Sequence, residues 1–177
     1  MKYLIFLTFW GWMGAARTSS GLKQLVLPCP SDKEVEERLF KSRQNTGNRM
    51  QETEDRIQND DASGLKDLAY RIRRYLEGYD VSFPDKVDYE GATVFQKEVW
   101  LSLRDIPYGK TISYSELANR SGKPGAARAI GQALSRNPLP IILPCHRVIG
   151  RKGELTGYSG GAGLKRRLLD LETRNCK

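Results

Sequence analysis

At 177 residues the chain is long enough for one large domain or two small ones, and it can bury a core without covalent staples. Its three cysteines, Cys29, Cys145 and Cys176, are odd in number and irregularly spaced, which speaks for a reducing compartment rather than a disulfide framework. A single histidine and no paired cysteines exclude a metal site of the usual four-ligand kind. Residues 1–88 carry 14 basic and 14 acidic side chains and residues 89–177 carry 15 and 7, so the net +8 lies wholly in the second half. A basic half beside a neutral one fits a polyanion partner such as nucleic acid, and fits a plain solvated surface equally well.

The run Tyr3 to Trp12, with Ala15-Ala16 behind it, has the outline of a secretory signal. Its aromatic and β-branched residues favour a strand instead. A second apolar run, Leu22 to Leu27, follows the turn-like Thr18-Ser19-Ser20-Gly21, so the region is expected to form a β-hairpin. No segment is apolar enough for long enough to span a membrane. Ser31 to Arg43 reads as a charged surface helix. Residues 44–63 are almost wholly polar and read as a loop or a frayed helix. Leu65, Leu68, Ala69, Ile72 and Leu76 recur at helical spacing, with Gly78 as the stop, and Phe83 to Tyr89 reads as an extended linker.

The second half reads as helices divided by glycine and proline. Thr93 and Gln96 make a capping-box pattern ahead of Phe95, Val99, Leu103 and Ile106, and Ser113 with Glu116 repeats it. Gly122 ends that short helix. After Pro124 comes Ala126 to Leu134, and Asn137-Pro138-Leu139-Pro140 stops it. Short helix, glycine turn, second helix is the outline of a helix-turn-helix. The second helix is unusually small-sided, with Ala126, Ala127, Ala129, Gly131 and Ala133 around the lone long side chain of Arg128. Such a helix fits a packing role, and it also suits close approach to a widened minor groove with Arg128 entering the base stack. A last helix carries Leu164, Leu168 and Leu171 on one face. The expected fold is therefore α+β: a small strand-rich N-terminal domain, residues 1–89, followed by a mainly helical domain with a helix-turn-helix, residues 90–177.

Pro144-Cys145-His146-Arg147-Val148-Ile149 holds the densest chemistry. Cys145 is followed by the only histidine, and a base beside a thiol raises the population of its nucleophilic thiolate. A free cysteine by itself is more often a small buried hydrophobe.

Together these segments resemble the O6-alkylguanine-DNA alkyltransferases, the methylated-DNA–protein-cysteine methyltransferases. The matching stretches, in family order between about 93 and 173, are Phe95 to Trp100, Ile106 to Gly109, Ser113-Tyr114, Ala127 to Gly131, Asn137-Pro138, Pro144 to Ile149 and Gly157 to Gly161. The resemblance implies transfer of the alkyl group from O6-alkylguanine in double-stranded DNA, less so from O4-alkylthymine, to Cys145, after the base is flipped out of the duplex. It assigns deprotonation of the thiol, through a water, to His146, oriented by Glu172. It gives Asn137 the water network and turn, and Tyr114 the target phosphate and the leaving base. Arg128 would fill the gap in the stack. Tyr114, Ser115, Gln96, Lys123 and Arg151 would meet DNA, and Val148, Tyr158 and Ser159 would line the pocket. The thioether product is not hydrolysable, so the protein would act once per molecule. The protein is further expected to need no cofactor and no metal, since the chain lacks the ligands of the structural zinc that some family members carry, to engage no membrane, to be a monomer, and to lie in the cytoplasm, or in the nucleus in a eukaryote. A non-catalytic alkyltransferase-like damage sensor is the main alternative, and the presence of Cys145 favours chemistry over it. A cysteine hydrolase would leave the helix-turn-helix unexplained, and a plain DNA-binding regulator would leave the Cys-His run unexplained.

Overall fold

The computed structural model describes residues 1–40, 55–58 and 63–174, with the backbone alone described for 55–58. The chain divides into two compact units, Met1–Asp88 and Tyr89–Lys177.

In the first unit, β1 (Lys2–Thr8), β2 (Gly11–Thr18) and β3 (Gly21–Cys29) form an antiparallel meander. The hairpin expected around Ser19-Ser20 is present, but its first strand is β2. The long apolar run that begins at Tyr3 is broken at Phe9-Trp10. Thr8 makes the break: its hydroxyl donates to the Gly11 carbonyl (2.7 Å) and accepts from the Trp10 N–H (3.2 Å). Gly11 has φ +122, and a Cβ there would sit 2.7 Å from the Cys29 carbonyl oxygen.

A fourth strand, β4 (Asp55–Gln58), pairs antiparallel with β1, giving the order β3-β2-β1-β4. It lies inside the polar stretch read as loop or frayed helix; residues 44–54 and 59–62 fall outside the described residues. Helix α1 spans Asp32–Phe40, and the expected extension to Arg43 likewise falls outside them.

Successive strand residues face opposite sides of a sheet. Tyr3, Ile5, Ala16 and Val26 therefore share one face, where Val35 and Leu39 of α1 close the core. Gly14 makes room for that helix: a Cβ there would lie 2.5 Å from Val35 Cγ1 and 2.9 Å from Leu39 Cδ1. Leu4 and Phe6 point the other way, toward α2 (Ser63–Leu76), whose Arg73 guanidinium sits over the Phe6 ring. The expected linker after α2 is pinned down. Arg71 makes a two-pronged bond to Asp85, and Leu22 exchanges backbone bonds with Lys86 and Asp88.

The second unit contains α3 (Val94–Leu103), α4 (Tyr114–Arg120), α5 (Ala127–Ser135) and α6 (Gly161–Arg174). The Thr93/Gln96 capping box forms in full. At α4 only half of the expected box forms. Ser113 caps the helix by accepting from the Glu116 N–H, while the Glu116 carboxylate turns to Arg120 (2.6 Å). The helices α3, α4 and α5 pack on one another, and the Trp100 indole donates to the Ala133 carbonyl (2.9 Å). Two short strands that the sequence pattern did not disclose, β5 (Ile112–Ser113) and β6 (Val148–Ile149), pair in parallel. That pairing positions the site.

Candidate active site

Cys145, His146 and Arg147 form one turn of 3-10 helix that runs directly into β6. Because β6 pairs with β5, and β5 runs directly into α4, the Cys145 turn and Tyr114 are brought to one place. The approach is stiff. Pro138, Pro140 and Pro144 restrict it, and Ile141 is held at φ +74, a conformation that costs a β-branched residue roughly 1–3 kcal/mol.

Asn137 organises this approach. Its amide nitrogen donates to the Leu143 carbonyl (2.7 Å) and to Cys145 Sγ (3.1 Å), and its oxygen accepts from the Leu139 N–H (3.0 Å). The thiol is buried. Burial pushes its pKa up to about 11, against the opposing pull of the Asn137 hydrogen bond, the Lys165 charge and nearby backbone amides. At rest it is therefore a quiet, protonated thiol.

His146 is fully buried, and its Nε2 lies 2.8 Å from Glu172 Oε1. Burial lowers the His146 pKa, and the Glu172 contact only partly offsets this, so the ring is neutral at pH 7. A neutral ring paired to a carboxylate carries its proton on Nε2, which leaves Nδ1 as the basic nitrogen. Glu172 is fully buried too, and is held from several sides. It accepts from Arg147 Nε (3.0 Å to Oε2) and Nη2 (3.0 Å to Oε1), and from the Gly109 N–H (2.9 Å). Burial alone would raise its pKa, but the His146 and Arg147 bonds and charges outweigh it and hold the carboxyl at about 2. Arg147 is itself tied to the Ile106 carbonyl (2.6 Å) and lies over the Tyr108 ring.

A second buried charge lies on the other side of the turn. Lys165 is 1% exposed. Its ammonium donates to the Val148 carbonyl (2.6 Å), the Thr156 carbonyl (3.0 Å) and the Tyr114 hydroxyl (3.5 Å). Tyr114 in turn donates to the Thr156 carbonyl (2.6 Å). Burial lowers the Lys165 pKa and raises that of Tyr114. Gly157, at φ +68, lets the chain pass beneath this hydroxyl, since a Cβ there would come within 3.0 Å of it.

Of the residues expected at the site, Asn137 with Cys145 and His146 with Glu172 form two hydrogen-bonded pairs that meet at the Cys145-His146 step of the chain. Tyr114 and the Val148 carbonyl are tied to each other through Lys165, and the Tyr158 ring stands edge-on to His146 with centroids 6.4 Å apart. Of the expected DNA contacts other than Tyr114, Arg128 is exposed on the first turn of α5, Ser115 on α4, and Arg151 in the stretch between β6 and α6, where Ser159, expected in the pocket, is exposed too. The Gln96 side chain is engaged in the α3 cap, and Lys123 pairs with Glu98 (3.2 Å). Sequence reading missed Lys165 and gave Arg147 no task. A signal for Lys165 existed: it lies seven residues, two helical turns, before Glu172, on the same face.

A family model described as the DNA-binding domain of 6-O-methylguanine DNA methyltransferase matches residues 94–174. An inducible methylated-DNA–protein-cysteine methyltransferase of Bacillus subtilis is 45% identical over 157 residues, 88% of this chain and 83% of that protein. The corresponding Mycobacterium bovis protein is 52% identical over 102 residues, 58% of this chain and 61% of its own length. The crystal structure of a Mycobacterium tuberculosis O6-methylguanine methyltransferase aligns with a TM-score of 0.74 at 35% identity, covering 100% of this chain and 96% of that one. That of Mycobacterium tuberculosis OGT in complex with DNA aligns with a TM-score of 0.71 at 36% identity, covering 98% and 93%. Among the described residues no helix is long and apolar enough to cross a membrane. With a histidine-backed cysteine at its centre and these relatives around it, the chain belongs to the methylated-DNA–protein-cysteine methyltransferase family.

Proposed function

We propose that the protein repairs DNA by moving the alkyl group of O6-alkylguanine, and less readily of O4-alkylthymine, onto Cys145, once per molecule. One observation carries the reading: the buried thiol is hydrogen-bonded by Asn137 beside a His146–Glu172 pair, the arrangement a thiol needs to become a nucleophile on demand.

In this reading residues 89–177 bind duplex DNA through α4 and α5, with α5 against the minor groove. Arg128 occupies the place of the extruded base, and Arg151 and Lys123 meet phosphates, Lys123 after leaving Glu98. The base enters a pocket lined by Val148, Tyr158 and Ser159. His146 takes the Cys145 proton at Nδ1, and the new imidazolium is balanced by Glu172. The sulfur pair attacks the alkyl carbon in line, an S–C bond forms, and the C–O bond breaks with its electrons going to guanine O6. Tyr114 offers its proton to the departing base. Lys165, bonded to the Tyr114 oxygen, steadies the charge that Tyr114 then carries. The proton on His146 returns through solvent, and the sum is thiol plus alkylguanine giving thioether plus guanine. No cofactor enters this balance.

The test is to incubate the protein with a duplex containing O6-methylguanine and weigh it intact. The expected result is a gain of one methylene on the Cys145 peptide, absent in Cys145→Ala. Tight binding of the duplex with no mass gain would replace this reading with that of a damage sensor.

A further inference from the structure

The proposed chemistry gives Arg147 no part, yet its guanidinium is built into the site from three sides. Nε donates to Glu172 Oε2 and Nη2 to Glu172 Oε1 (3.0 Å each), Nη1 donates to the Ile106 carbonyl (2.6 Å), and the group lies over the Tyr108 ring, 5.7 Å from its centroid. The side chain is 12% exposed, so water screens its charge little. Orienting His146 does not call for this cation. Glu172 alone holds Nε2, and the Gly109 N–H already satisfies the other carboxylate oxygen.

What the cation adds is electrostatic. Arg147 Nη2 and His146 Nε2 both contact Glu172 Oε1, at 3.0 and 2.8 Å, so the two nitrogens stand no more than about 6 Å apart, a range at which like charges repel strongly where water is excluded. A neutral ring is untouched by that repulsion, and an imidazolium meets it in full. The Ile106 carbonyl and the Tyr108 ring keep the guanidinium from turning away when the ring takes a proton. One carboxylate therefore faces one cation at rest and two once the thiol has been deprotonated. The Arg147 charge opposes protonation of His146 in the same direction as burial does.

We infer that Arg147 restrains the nucleophile: its fixed guanidinium, sharing Glu172 Oε1 with the imidazole, keeps His146 from holding a proton at rest and so keeps Cys145 a thiol. The equilibrium it opposes is balanced: the S–H bond breaks, an N–H bond forms on His146, and a thiolate and an imidazolium result. Arg147 is thus a positioning residue that acts through Glu172 and His146 and touches no reacting atom. The inference rests on the reading of Cys145 as nucleophile and His146 as its base. The charged and titratable groups facing His146 are Cys145 and Arg147 on its own turn, Glu172 and Lys165 from α6, and Tyr158 from the stretch between β6 and α6.

The experiment is an NMR titration of the imidazole, which needs no DNA. His146 is the only histidine, so a single ring resonance reports it. In the natural protein the ring should be neutral at pH 7, and a ring charged at that pH overturns the inference without any variant. Arg147→Met and Arg147→Gln remove the charge, the second keeping a donor toward Glu172, and each should raise the titration midpoint by about one pH unit or more. Arg147→Lys, which keeps the charge, should stay near the natural midpoint. Alkylation of Cys145 by iodoacetamide, scored by mass, should be about tenfold faster at neutral pH in the neutral variants, with rates converging toward the thiol pKa of about 11. An unmoved or lowered midpoint in the neutral variants overturns the inference, as does a rise in Arg147→Lys equal to that in Arg147→Met. Faster alkylation by the same factor at every pH also overturns it, because that reports access and not charge. A raised midpoint with unchanged alkylation instead removes His146 as the base, which is a failure of the underlying reading.

Discussion

Replacing Glu172 by glutamine keeps the side chain's shape and removes the anion on which His146 and Arg147 converge. The carboxylate is fully buried, and the Arg147 side chain is 12% exposed. Breaking a buried pair by removing one partner costs about 3–5 kcal/mol, because the other charge is left uncompensated. Linkage gives a second route to the magnitude. The carboxyl is held at about 2 against an ordinary 4.5, a difference worth about 3 kcal/mol. Since the folded pKa is the lower one, this stability is present in full above pH 4.5 and drains away as the pH falls toward 2. The two routes agree near 3 kcal/mol, so Glu172→Gln should be about that much less stable at neutral pH. It should also lose less stability than the natural protein through the acid window. Hydrogen exchange at the slowest amides of α6 measures this, because those amides report the opening of the second unit alone. Methyl transfer should fall at least tenfold as well, for the imidazolium loses its counter-charge. A loss below about 1 kcal/mol, with matching acid slopes, would refute the view that Glu172 carries a buried ion pair.

Three further outcomes are expected. Cys145→Ser should abolish transfer and keep DNA binding, measured by protein mass and by gel shift, because a hydroxyl is a far poorer nucleophile at neutral pH while no groove contact involves sulfur. Lys165→Met should cost no more than about 1 kcal/mol in urea unfolding, since release of a desolvated charge offsets three lost hydrogen bonds, yet slow transfer tenfold or more; transfer at the natural rate would make Lys165 mere scaffolding. Arg128→Ala should slow repair of duplex DNA about tenfold or more and barely change reaction with the free alkylated base, which has no stack to leave; equal losses on both substrates would remove Arg128 from the flipping step.

What the sequence disclosed followed from the strength of each local signal. The strand-rich start was legible because Tyr3 to Phe6 and Leu25 to Leu27 are apolar and β-prone, and the helix caps at Thr93 and Ser113 were legible because their bonds are local. The break at Phe9-Trp10 was hidden because Thr8 and Gly11 turn the chain inside an unbroken apolar run. Strand β4 was hidden because Asp55-Arg56-Ile57-Gln58 is a polar sequence without the apolar alternation that marks a strand, and it lies at the sheet edge. The β5–β6 pairing, two residues long, leaves no periodic trace. At the site, Cys145, His146 and Asn137 could be read from a short stretch of chain. Lys165 could not be read from apolar periodicity, because it is a charge buried in a stripe otherwise sought by its leucines.

That stripe explains how one helix serves both ends of the reaction. Lys165, Leu168 and Glu172 are the buried residues of α6. Lys165 and Glu172 stand about 10 Å apart along its axis at 1.5 Å per residue. Glu172 meets His146, and Lys165 meets the Val148 carbonyl, so the chain from His146 to Val148 runs against the direction of α6 with opposite buried charges at its two ends. In the proposed mechanism the anion lies where the thiol proton goes, and the cation lies beside Tyr114, where the departing base gathers negative charge. A thiol held at about 11 is almost wholly protonated at neutral pH, and the thiolate is the nucleophile. In that mechanism the thiol becomes reactive when proton acceptance at one end and charge acceptance at the other act together, which requires a base in the pocket. For a protein consumed by each transfer, such restraint preserves the thiol for its lesion, and both halves of it depend on the register of a single helix.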